Sequence, residues 1–178
     1  LAWAAAVMSP EVTASEAGSQ ILDPTLHARA LDRASRLPRF RSLLVSIGGE
    51  RVEEQYFNGA GPYDRANLKS ASKSILSLLV GIALDQGYLQ NVHERIEPFF
   101  PQYLGKKEDL AKQKITIEDL LTMRSGLETT SNRNYGRWVQ SSDWVRHILS
   151  RPMADQPGGR MIYSTGNSHL LSALLTES

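Results

Sequence analysis

Ser70 and Lys73 stand three residues apart in Ser70-Ala71-Ser72-Lys73. On a helix that spacing brings two side chains to one face. A serine hydroxyl is a weak nucleophile until a neighbour takes its proton. A lysine can take it only where part of its amine is neutral at working pH. Three local features push Lys73 that way. Burial disfavours the ammonium form, the positive end of a helix dipole repels a cation in the first turn, and Lys69 adds a second positive charge nearby. The Ser70 backbone N–H, at the same helix start, is a candidate oxyanion donor. Together these groups could run acyl transfer through a serine ester.

Four letters alone are a weak pattern, and on a surface helix such a pair is usually solvated; context decides. Directly after the motif, Ser74 to Leu84 is apolar on nearly every face, which predicts a buried helix. Asp85-Gln86-Gly87 supplies its stop. Upstream, Asp23 and Pro24 open a helix whose stripe is Leu26, Ala30, Leu31, Ala34 and Leu37. A hairpin follows, Arg41 to Ile47 and Arg51 to Phe57, turning at Gly48-Gly49-Glu50. Downstream, Thr116 and Asp119 form a capping pattern before Leu120-Leu121. A polar loop spans Glu128 to Tyr135, and a helix is expected over Ser142 to Ser150 with Trp144, Val145, Ile148 and Leu149 inward. Pro157-Gly158-Gly159 is a turn, Met161 to Tyr163 is extended, and Ser168 to Thr176 is helical, capped by Asn167 or Ser168. Helix, hairpin, then several helices predicts an α+β protein. The expected divisions are a leader over 1–22, an α/β part with the nucleophile helix over 23–90, and a helical region over 91–178.

Composition narrows the classes. The formal charge of +1 offers no field for nucleic acid or an anionic membrane. No cysteine is present, which excludes disulfide and thiol chemistry. His27, His93, His147 and His169 hold no metal-ligand spacing, so no metal is expected. The apolar start, Leu1 to Met8, is too short to span a bilayer. With Val12-Thr13-Ala14 it reads either as a secretory-signal remnant or as an Ala-rich leader. The first reading places the protein in the periplasm or outside the cell; the second leaves the cytoplasm open.

Four segments carry a family likeness: Ser70 to Lys73 opening the apolar helix; Asp85-Gln86-Gly87-Tyr88-Leu89 with Ile96 to Pro101; Ile115 to Leu127; and Pro157 to Ser164 with Leu170-Leu171. In order and spacing, from about residue 40 onward, the chain resembles the serine β-lactamase-like superfamily. The likeness is to the branch of class C β-lactamases, D-alanyl-D-alanine carboxypeptidases, family VIII esterases and 6-aminohexanoate-dimer hydrolases. The resemblance implies an antiparallel sheet flanked by helices, an all-helical region, and a site between them. It implies Ser70 as acylated nucleophile, Lys73 as its proton acceptor, and Tyr163 as the phenol that shares the proton and protonates the leaving group. A phenol beside ammonium groups should ionise more readily than usual.

The pattern is not followed everywhere. The family often has Tyr-x-Asn; here position 165 is Thr165, which can still hydrogen-bond substrate or Lys73 but lacks the paired donor and acceptor of an amide. Asn167 either compensates as a substrate-binding group or caps the next helix. Met123-Arg124 replaces a common His-Thr and reads as structural variation. The family's Lys-Thr-Gly or His-x-Gly strand would lie beyond residue 178, so a further C-terminal portion or a second chain is expected to complete the site. Without it the 178 residues should expose apolar surface and catalyse poorly. The expected activity is hydrolysis of a small ester, amide or lactam without cofactor. The rival is a non-catalytic penicillin-binding sensor or scaffold, which the Thr165 departure favours.

Overall fold

The computed structural model describes residues 22–105 and 110–177, in two compact units that divide at Asn67/Leu68. The leader expected over 1–22 lies, Leu22 apart, outside the described residues.

The first unit is short-range in origin. Helix α1 (Pro24–Ser35) starts where expected, because Asp23 Oδ1 accepts the N–H groups of Thr25 and Leu26, both at 2.9 Å. Strands β1 (Ser42–Ile47) and β2 (Glu50–Tyr56) pair antiparallel, Ser42 opposite Tyr56 and Ile47 opposite Glu50. The two-residue turn between them needs positive φ at both positions, and Gly48 (+61°) and Gly49 (+88°) provide it. His27 Nε2 lies 2.5 Å from Glu53 Oε2 and links α1 to β2.

The second unit is helical. A 3₁₀ turn at Lys69–Ala71 leads into α2 (Ser72–Asp85). Then come α3 (Pro101–Leu104), α4 (Ile117–Leu121), α5 (Tyr135–Val139), α6 (Trp144–Leu149) and α7 (Thr165–Glu177). Helix α7 packs on α2, α4 and α6 and carries core residues Leu170, Leu171 and Leu174. Ile96, Phe100, Ile115, Ile117 and Leu120 complete the same core. Helix α4 has the expected capping box: the Thr116 hydroxyl accepts the Asp119 N–H at 3.2 Å, and the Asp119 carboxylate accepts the Thr116 N–H at 2.9 Å.

Three readings change. Helix α2 is not buried all round: among its residues only Val80 and Ala83 are buried, while Leu78 is 64% and Ile75 50% exposed. It packs on α7 along one stripe, and an apolar sequence states a need for cover without supplying it. The apolar surface that was expected to stand open is this face. Helix α2 packs on α7 and lies in the second compact unit. Helix α7 begins at Thr165, one turn before the expected Ser168, and α5 lies just past a stretch read only as polar loop.

Candidate active site

Tyr163 is held by a frame of backbone bonds. The Ile162 N–H donates to Met123 O at 2.8 Å, and the Gly158 N–H to Arg124 O at 2.9 Å. The Arg124 side chain donates from Nε to Gly159 O at 2.6 Å. Gly126 O accepts the N–H groups of Ala154 at 2.7 Å and Asp155 at 3.1 Å. Only glycine fits at 126: φ is +78°, and a Cβ there would stand 2.4 Å from Asp155 O. Thr129 Oγ1 donates to Tyr163 O at 2.7 Å. Residues 123–129 thus grip both sides of the tyrosine's main chain. At Met123-Arg124 the gripping atoms are mostly carbonyls, consistent with the position tolerating other side chains.

The N-terminus of α7 is capped from across this frame. The Thr165 N–H donates to Ser131 Oγ at 2.8 Å and the Gly166 N–H to Thr130 Oγ1 at 2.9 Å. Orphan N–H groups at a helix start need such acceptors. With Thr130 and Ser131 supplying them, α7 starts before Asn167 and Ser168. The signal was present in Thr129-Thr130-Ser131, three hydroxyls in succession, but nothing local says which distant helix they cap.

Ser70 reaches Tyr163 from the other side. Its Oγ lies 2.8 Å from Tyr163 Oη and 3.4 Å from Lys73 Nζ. Lys73 Nζ stands 5.3 Å from the centroid of the Tyr163 ring. Ser70 itself sits in the 3₁₀ turn, one residue after Lys69, whose φ of +51° is left-handed. The Ser72 hydroxyl donates to Lys69 O at 2.7 Å and braces that turn. The three groups are together but not in a dry pocket: Ser70 is exposed, Lys73 half-buried, and Tyr163 is 42% exposed. The expected exclusion from water is therefore absent among the described residues, because the outer face of α2 is open.

Tyr163 is the perturbed group. Its hydrogen bond from Ser70, then its bond and charge contact with Lys73, hold the phenol below its ordinary value of 10.0; Thr165 adds to this, and burial opposes it. Thr165 belongs to the cluster, its Oγ1 also lying 2.9 Å from Ser131 Oγ. Asn167 does not. It is 1% exposed, and its Oδ1 accepts the Ser125 hydroxyl at 3.0 Å. It neither lines the open cluster nor caps α7; it fastens α7 to the turn at Ser125. A side chain two residues beyond Thr165 on a helix points to another face.

Among the described residues, no group of three or more His, Cys, Asp or Glu is placed to hold a metal ion, and no helix is long and apolar enough to cross a membrane.

None of the curated proteins compared with the chain matches it. Solved structures do. A Bacteroides dorei protein described as a "putative beta-lactamase" superposes with a TM-score of 0.64 at 18% identity, over 86% of this chain and 44% of its own. A Bacillus anthracis protein described as a "putative 6-aminohexanoate-dimer hydrolase" gives 0.62 at 14% identity, over 83% of this chain and 41% of its own. The chain thus spans less than half the length of either, and the likeness is one of fold. The Beta-lactamase family model matches residues 41–178, which carry the hairpin, the Ser70 turn, the gripping loop and Tyr163; the chain belongs to the Beta-lactamase family.

Proposed function

We propose that the protein is a serine hydrolase that cleaves small esters or amides through a covalent acyl-enzyme, of the carboxylesterase or 6-aminohexanoate-dimer-hydrolase kind. One observation carries this reading: a serine hydroxyl 2.8 Å from a phenol, with a lysine amine 3.4 Å from the same oxygen. Ser70 Oγ attacks the carbonyl carbon, and its proton passes to Tyr163 Oη, the nearer of the two bases. Lys73 stabilises the phenolate by charge and shares the proton. The Ser70 N–H is one donor to the developing oxyanion. Collapse breaks the C–O or C–N bond, Tyr163 returns the proton to the leaving oxygen or nitrogen, and Ser70 keeps the acyl group. Water then attacks the ester, loses its proton to the same pair, and frees the acid and the Ser70 hydroxyl. None of these steps calls for a metal or organic cofactor.

Labelling of the full-length protein with a fluorophosphonate, followed by intact-mass and peptide mapping, should place the adduct on Ser70. An adduct on Ser72 or Ser74 would overturn the assignment. Steady turnover of p-nitrophenyl acetate is expected; one burst that stops would make the protein an acyl-binding sensor. Ser70→Ala, Tyr163→Phe and Lys73→Ala should lose similar factors, on the order of 10³ in kcat, because the groups act as a unit. A Lys73→Ala variant that keeps most of its rate would remove the lysine from the proton path.

A further inference from the structure

Two hydroxyls cap the start of α7, and they are not equivalent. Thr130 Oγ1 accepts the Gly166 N–H at 2.9 Å and lies 3.3 Å from Ser164 Oγ. Ser131 Oγ accepts the Thr165 N–H at 2.8 Å and also lies 2.9 Å from the Thr165 hydroxyl. Ser131 is tied to Tyr163 through its main chain as well. Its N–H donates to Thr129 Oγ1 at 2.9 Å, and Thr129 Oγ1 donates to Tyr163 O at 2.7 Å. Ser131 therefore holds both ends of the segment 163–165, and at 4% exposure it does so from a buried position.

The direction of the Ser131–Thr165 bond matters to Tyr163. A hydroxyl has one hydrogen to donate. If Thr165 gives its hydrogen to Ser131, it can only accept from Tyr163, which favours the protonated phenol. If Ser131 gives its hydrogen to Thr165, the Thr165 hydrogen is left for Tyr163 Oη, which favours the phenolate. Charge selects the second arrangement: a bond to an ionised acceptor is roughly twice as strong as a neutral one, and the bonds of a chain reinforce one another. Thr165 does favour the phenolate, beside the Ser70 hydroxyl and Lys73, the charged group that faces the phenol from α2.

Resting on the hydrolase reading, we propose that Ser131 is a positioning residue for proton transfer: its hydroxyl donates to Thr165 Oγ1, so that the Thr165 hydroxyl is turned toward Tyr163 Oη whenever Tyr163 is ready to take the Ser70 proton.

The test follows Tyr163 in the full-length protein by carbon-13 NMR of tyrosine labelled at Cζ, its signal identified by loss in Tyr163→Phe. Beside it runs the pH profile of kcat/KM for p-nitrophenyl acetate. Ser131→Ala should move both midpoints to higher pH and lower kcat/KM about threefold at a fixed pH on the rising limb, the worth of one hydrogen bond. Ser131→Thr, which keeps the hydroxyl, should restore both. If Ser131→Ala fails to fold, Ser131→Cys, a weaker donor, should move them the same way. Thr130→Ala removes the other cap and should leave both midpoints in place. Added to Thr165→Val, Ser131→Ala should move neither any further, because it acts through Thr165. Midpoints unmoved or lowered in Ser131→Ala, moved as far in Thr130→Ala, or moved further in the double variant would each overturn the role of Ser131 and leave the hydrolase standing. If no ester is turned over, the hydrolase reading fails, and the NMR midpoints of the same variants decide the hydrogen-bond chain alone.

Discussion

The two sides of the candidate site are built in opposite ways. Tyr163 sits in a frame whose main-chain atoms are bonded from 123 to 131, with Ser125, Thr130, Ser164 and Asn167 buried around it. Ser70 sits in the 3₁₀ turn that leads into α2, and Lys73 in the first turn of α2, a helix that buries only Val80 and Ala83. The tyrosine is placed by many weak bonds that exclude alternatives; the serine is placed by one stripe of contact and a braced turn. Positioning on the frame side is therefore intrinsic to these residues. On the α2 side it depends on how much of the outer face is covered.

Substitutions on either side separate these cases. The largest effect should come from Gly126→Ala, which forces a left-handed alanine into Asp155. A loss of about 3 kcal/mol is expected in chemical denaturation. A loss below 1 kcal/mol would mean that the frame yields, and the contrast would fail. Thr116→Ala removes one arm of the α4 capping box and should cost about 1 kcal/mol. On the other side, Leu78→Ala should cost no more than about 0.5 kcal/mol, since the side chain is 64% exposed. A cost of 2 kcal/mol or more in the full-length protein would reveal that this face is covered there. The smallest effect is electrostatic. Thr165→Val removes one of the groups that favour the Tyr163 phenolate, so the rise of kcat/KM with pH should move to higher pH. Movement to lower pH would remove Tyr163 from the role of base. For stability, a depressed phenol contributes fully above its unfolded value of 10.0, and that contribution is lost as pH falls through the folded value.

Features made by neighbouring residues were readable in the sequence. Asp23-Pro24, Gly48-Gly49 and the Thr116/Asp119 pair each act within a few positions, and the structure has each of them. The meeting of Ser70 with Tyr163, 93 residues apart, was reachable only through family likeness. Other features could not be read. The exposure of α2 depends on what covers it, not on its own letters. Tyr135-Gly136-Arg137-Trp138-Val139 makes one short helix with a glycine inside, and its Trp138 is the only residue of the five that is buried, too brief a pattern to show periodicity. Asn167 looked like a cap or a ligand because asparagine favours both, yet its amide serves a long-range bond to Ser125.

The Thr130–Gly166 and Ser131–Thr165 hydroxyl bonds work as a staple. They join the two ends of the excursion from 132 to 164, so the ends stay in register whatever length lies between. Loop closure grows slowly with length, by about 0.6 kcal/mol per doubling. Extra residues spliced in at Gln140–Ser142, between α5 and α6, should therefore be tolerated, giving the protein a place to acquire new surface while the tyrosine stays where it is.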